Sequence, residues 1–195
     1  GVTRRANAGG REPARKIPRP ACSVTTFAVL ATGASMSQAL ADRLKTRRRI
    51  VVNDAFRLAP DAEALAANDQ AWWRKHTDAL AFAGRKFSTN PPPRTRVERV
   101  EPGGLVNSGS NSALLALHVA VTILKATRVE LYGVDLKGTH YFGPHVGLSN
   151  TRPERFEVFK MQFERYARSL PNGVEVVNCN PESELRAFPF AELVE

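Results

Sequence analysis

Cysteine is scarce in this chain. Its 195 residues hold only two, Cys22 and Cys179. They lie far apart, in neither a CxxC pair nor a Cys/His spacing that suits zinc. That argues against a disulfide scaffold and against a zinc module. No apolar run approaches the roughly 18 residues that a bilayer span needs. The basic N-terminus lacks the apolar stretch of a signal peptide, so a soluble cytoplasmic protein is expected. Several chemical signatures are missing as well. There is no G-x-G-x-x-G, no Walker loop and no D-x-D after a strand. A G-x-S-x-G nucleophile elbow is also absent, which disfavours covalent hydrolase chemistry. Acid is in short supply: 19 Asp and Glu stand against 28 Lys and Arg, for a net charge of +9.

Much of that excess is local. Residues 1–19 hold Arg4, Arg5, Arg11, Arg15, Lys16 and Arg19 against a single acid, Glu12. The segment is rich in Gly, Pro and Ala and poor in large apolar side chains. Residues 1–24 therefore read as a flexible basic tail that cannot offset its ordering entropy by burial. Such a tail is either simply solvated or an electrostatic contact for nucleic acid. The rest, 25–195, has the length of one domain.

The hydrophobic pattern of that domain alternates between short apolar runs and amphipathic stretches. Thr26-Phe27-Ala28-Val29-Leu30-Ala31 stops at Thr32-Gly33, as a buried strand would. Ser35 then suits the N-cap of a helix through Lys45, and Ile50-Val51-Val52-Asn53 is a second strand. Strand, turn, helix and strand within about 30 residues make a βαβ unit and hence a parallel sheet. Residues 62–69 read as a short third strand, and a helix starts at Gln70. The Arg- and Pro-rich stretch 84–104 reads as an irregular insert with at most one edge strand. An almost wholly apolar helix follows Asn107-Ser108-Gly109-Ser110-Asn111. Residues 128–135 form the clearest strand, Pro153 to Leu170 a long amphipathic helix, and 173–179 a last strand. The fold class expected is α/β: a single Rossmann-like domain, mostly parallel, flanked by helices.

In an open parallel sheet, ligands sit beyond the carboxyl ends of the strands. The polar residues at those ends are therefore the candidates. Thr32, Gly33 and Ser35 lie after the first strand, where glycine lets backbone approach a ligand and a helix start offers N–H groups. Asn53 and Asp54 follow the second strand, as hydrogen-bonding groups for a base or ribose or as a cap. Asn68 and Asp69 end the third, with Trp72 and Trp73 expected to pack in the core or at the rim. Asn107, Ser108 and Gly109 supply more small polar groups than one cap requires, enough for a nest around phosphate or sugar oxygens. Asp135 ends the strand at Gly133. Beyond it, His140 and His145 are candidates for a general base near neutral pH. Tyr141 and Tyr132 are candidates to support a leaving phosphate.

The order of these pieces resembles the bacterial sialyltransferases of glycosyltransferase family 42. The segments concerned are Ala31-Thr32-Gly33-Ala34-Ser35, Asn53-Asp54-Ala55-Phe56, Asn107-Ser108-Gly109, Tyr132-Gly133-Val134-Asp135, His140-Tyr141-Phe142-Gly143-Pro144-His145 and Asn178-Cys179-Asn180-Pro181. The resemblance implies a CMP-sugar donor held by Thr32, Gly33, Asn53, Ser108 and Gly109. It implies inverting transfer with a loop histidine as base and no metal cofactor. The family's Y-x-G-H stretch matches Tyr141-Phe142-Gly143-Pro144-His145 with one residue inserted, which points to His145, with His140 next. The chain is also similar to uncharacterised phage and prophage proteins, and its core order is similar to archaeal-type hydroxymethylpterin pyrophosphokinases. The latter likeness keeps open an ATP- and Mg2+-dependent alternative, with Asp54, Asp69 and Asp135 as metal ligands. The basic tail keeps open a non-enzymatic nucleic-acid or assembly role. The oligomeric state has no signature in the sequence.

Overall fold

The computed structural model describes residues 24–192. The basic-tail reading falls on residues 1–23, outside the described residues, as does Cys22. Seven strands form one sheet: β1 (Thr26–Leu30), β2 (Arg48–Val52), β3 (Ala64–Ala66), β4 (Arg85–Ser88), β5 (Val97–Arg99), β6 (Arg128–Tyr132) and β7 (Glu175–Asn178). Their order is β5-β4-β3-β2-β1-β6-β7, and every pairing is parallel. Four helices accompany them: α1 (Gln38–Arg43), α2 (Gln70–Lys75), α3 (Ser112–Thr122) and α4 (Pro153–Ala167). The α/β, Rossmann-like expectation holds, and the sheet is parallel throughout. No helix among the described residues is long and apolar enough to cross a membrane.

Phe27–Leu30, Ile50–Val52 and Ala64–Ala66 read as short apolar runs because both sheet faces are covered. Successive side chains point to opposite faces. Phe27, Val29, Ile50, Val52, Ala64, Ala66, Val129 and Leu131 pack with α3 and with Phe163 and Tyr166 of α4. Ala28, Leu30, Val51, Leu65 and Tyr132 pack on the other side with Leu44, Trp72 and Trp73. Helix α3 is buried along almost its whole length, so its apolar character has no polar face to interrupt it.

Three local expectations are corrected. Ser35 does not cap α1; Ser37 does, its side chain accepting from the Leu40 N–H, and the helix ends at Arg43 rather than Lys45. Ser35 is instead engaged by Asp135. The 84–104 insert holds two strands where one was expected, β4 and β5, the last two on one side of the sheet. Its polar residues disguise this. Lys86 is buried, but its ammonium donates to the carbonyls of Phe82 and Gly84. Arg85 and Glu98 neutralise one another across the β4–β5 pair at 2.7 Å. Finally, β6 stops at Tyr132 because Gly133 turns the chain at φ +68°, a conformation glycine adopts without strain.

A candidate ligand cleft at the strand ends

From β1 the chain steps through β2, β3, β4 and β5 on one side, then returns to place β6 on the other. The β1/β6 boundary is therefore the topological switch point, where connecting loops part and leave a crevice. A cleft of about 460 Å³ lies there. Thr32 and Gly33 after β1, Asn53 after β2, Asn68 and Asp69 after β3 and Asn90 after β4 line it. So do Ser108 and Gly109 ahead of α3, Asp135 after β6, His140 and His145 of the next loop, and Arg155, Phe156 and Phe159 of α4.

The glycine of the β1 turn also meets a packing demand. A Cβ on Gly33 would stand 2.5 Å from both the Gly133 carbonyl oxygen and the Asp135 carboxyl carbon. Glycine is needed there for the close approach of β6's exit, whatever else binds. Asp135 is 5% exposed. Its carboxylate accepts from the Ser35 N–H (2.8 Å), the Ser35 hydroxyl (2.5 Å) and the Asn180 amide (2.8 Å). Those three donors account for a buried charge that would otherwise be costly. Asp135 is thus a clamp between the exits of β1, β6 and β7.

Asn53 sits at φ +47°, a left-handed conformation that asparagine tolerates better than most residues. Its Oδ1 is buried without a hydrogen-bond partner among the described residues. Asp54 turns away from the cleft. It accepts from Trp72 Nε1 at 2.8 Å, and its backbone carbonyl accepts from the Tyr141 hydroxyl at 3.0 Å. Tyr141 is thereby a strut for its loop and does not line the cleft. Tyr132 is buried in the core and donates to Glu130, so it too is out of reach. Trp72 and Trp73 are both buried, and Trp72 also borders the cleft. Asp69 caps α2 through the Ala71 N–H.

Asn107-Ser108-Gly109-Ser110-Asn111 folds into a tight loop. Asn111 caps α3, accepting from the Ala113 N–H at 2.8 Å. The Asn107 side chain accepts from the Gly109 N–H, and the Ser110 hydroxyl from the Asn107 N–H. Arg155 reaches over from α4 to the Gly109 carbonyl. Asn68, one of the strand-end candidates, holds this loop through its side-chain amide, and Arg155, which also holds it, was not among the residues singled out for binding. Asn68 stood at a strand end, the one signal it offered, and Arg155 lay inside an amphipathic helix with no signal at all.

The two histidines come together. Their ring centroids are 4.4 Å apart, and His140 Nδ1 lies 2.9 Å from Thr32 Oγ1. Phe142 stacks on His140 at 4.9 Å, and the Tyr141 N–H donates to the Thr32 carbonyl. The Asn150 side chain accepts from the His145 N–H. Burial pushes both imidazoles below their ordinary value. For His140 the neighbouring His145 adds to this; for His145, Lys75 and His76 do, against the opposing pull of Asp54 and Asp69. Both rings are therefore neutral near pH 7 and able to accept a proton.

The three carboxylates of the metal-dependent alternative do not gather at one point. Asp54, Asp69 and Asp135 have the separate partners just described, and no cluster of three or more His, Cys, Asp or Glu among the described residues is placed to hold a metal ion. What the cleft does offer is a polar, partly aromatic chamber with amides and hydroxyls on several walls and two neutral imidazoles at one end. Comparison with protein-family models, with curated proteins and with solved structures found no match for the chain.

Proposed function

We propose that the cleft binds a nucleotide or nucleotide-sugar and that the protein is a transferase of glycosyltransferase type, with a CMP-sugar kind of donor. One observation carries the reading. Gly33, Asn53, Ser108 and His145, drawn from four separate segments, line a single cleft at the switch point of a parallel sheet. Position in such a sheet favours nucleotides, and Arg155 supplies cationic character beside the loop ahead of α3.

In this reading His145 is the general base, with His140 held against Thr32 as its neighbour. The acceptor hydroxyl oxygen bonds to the sugar's anomeric carbon as its proton passes to His145. The bond from that carbon to the donor phosphate oxygen breaks, and the nucleotide leaves with the electron pair. Attack opposite the leaving group inverts the centre. No metal is called for in these steps.

Calorimetric titration with CMP, CDP, UDP and GDP compounds is the test. Binding of at least one, weakened by substitution of Asn53 or Ser108, is expected. No binding to any of them would sink the proposal.

A further inference from the structure

We infer that Asn68 is the positioning residue of this cleft, the group that sets the wall ahead of α3 in its binding orientation. The inference rests on the nucleotide reading given above. Asn68 is 4% exposed, yet it makes five hydrogen bonds. Its amide nitrogen donates to the carbonyls of Asn107 (2.7 Å) and Ser110 (3.0 Å). Its amide oxygen accepts from the Thr89 hydroxyl (2.5 Å) and the Thr89 N–H (3.3 Å). Its own N–H donates to the Ser112 hydroxyl at 3.0 Å. One side chain at the end of β3 thus joins the end of β4 to the loop ahead of α3, with every polar atom satisfied.

The orientation follows from peptide geometry. In a planar trans peptide the carbonyl of one residue and the N–H of the next point in opposite directions. Drawing the Asn107 and Ser110 carbonyls toward Asn68 turns the N–H groups of Ser108 and Asn111 away from it. Both of those residues line the cleft, and neither N–H has a partner among the described residues. Arg155 holds the intervening Gly109 carbonyl from the other side. Asn68 therefore acts through the loop rather than on the ligand. The Ser110 N–H also reaches the Asn107 carbonyl, at 3.0 Å, so a replacement lacking two donors frees the Ser110–Asn111 peptide and leaves the Asn107–Ser108 peptide held only from within the loop.

The experiment is an amide-resolved NMR titration of the full chain with CMP, CDP, UDP and GDP, run beside two variants. In the parent protein the Ser108 and Asn111 amide signals shift on binding. In Asn68→Ser those shifts are lost and affinity falls about tenfold or more, the size of one or two lost hydrogen bonds. Thr89→Val removes a bond to the same side chain but leaves both Asn68 donors in place, so its affinity stays within about threefold while its stability drops. A folded Asn68→Ser that binds as the parent does would overturn the positioning role and leave the nucleotide reading standing. If Asn68→Ser does not fold, a parent that binds nucleotide with no shift at Ser108 and Asn111 overturns it equally. A parent that binds none of the four nucleotides removes the reading itself, and the positioning role with it.

Discussion

Asp135 and Ser35, a hundred residues apart in sequence, are joined by two hydrogen bonds onto one carboxylate. The turn after β1 is therefore shaped by the residue that follows β6. Replacing Asp135 with Asn puts an NH2 group opposite one of these donors. A loss of about 1–3 kcal/mol in unfolding free energy is expected, as for a buried charged acceptor deprived of partners. Urea denaturation measures it, and an unchanged midpoint would show that the clamp does not matter to stability.

Gly33→Ala should be costly on the same ground. The added methyl meets the Gly133 carbonyl oxygen at 2.5 Å, and backbone cannot swing aside as a flexible side chain can. About 1–3 kcal/mol of overpacking strain is expected. The melting temperature of the unliganded protein registers it. A loss of nucleotide binding without any loss of stability would instead show that ligand approach, and not packing, is what requires this glycine.

The histidines set a pH dependence of known sign. Burial lowers His118, His140 and His145 below the ordinary 6.5. As pH falls below about 6.5, the unfolded chain takes up protons before the folded one does, so stability present at neutral pH declines toward the lower folded values. The urea midpoint should drop between pH 7.5 and 5.5, and His118→Gln should flatten part of that drop. Transfer activity should likewise be level above pH 7 and fall on acidification, since the base must be neutral.

His145→Ala is expected to slow transfer by about 10²–10⁴-fold while changing nucleotide affinity little. Steady-state kinetics paired with calorimetry separates the two effects. If His140→Ala shows the large loss and His145→Ala does not, the roles of the pair are exchanged.

Tyr141→Phe removes one strut, the bond from its hydroxyl to the Asp54 carbonyl. A stability loss of about 0.5–1.5 kcal/mol is expected, with nucleotide affinity essentially unchanged, because the hydroxyl does not face the cleft. A marked rise in Kd would return Tyr141 to the binding site.

The inner strands were legible in the sequence because burial on both faces leaves Phe27–Leu30 of β1 and Ile50–Val52 of β2 as plain apolar runs, and β6 because Val129, Leu131 and Tyr132 surround a single acid. Those of the 84–104 stretch were not. Arg85, Lys86, Glu98 and Arg99 read as loop, and only the sheet shows that Lys86 is satisfied by two carbonyls and that Arg85 is paired with Glu98. The cap of α1 was misplaced by two residues because Ser35 and Ser37 are equivalent to a local reading. What distinguishes them is Asp135, far along the chain. In the site, polar residues at strand ends could be found from position alone, and most line the cleft. Whether each faces a ligand or a neighbour could not. Asp54 and Tyr141 look inward, and the importance of Asn68 depends on partners 39 and 42 residues away.

The strand order has a consequence for how the protein is made. β1 lies inside the sheet, yet one of its two neighbours, β6, is about a hundred residues downstream. During synthesis the first five strands can assemble while β1 still presents an open edge of unpaired backbone N–H and C=O groups. Such edges recruit other chains. The interval before residues 128–132 emerge is therefore one in which this polypeptide is open to aggregation, and a chain truncated in that window would leave β1 as an uncovered edge.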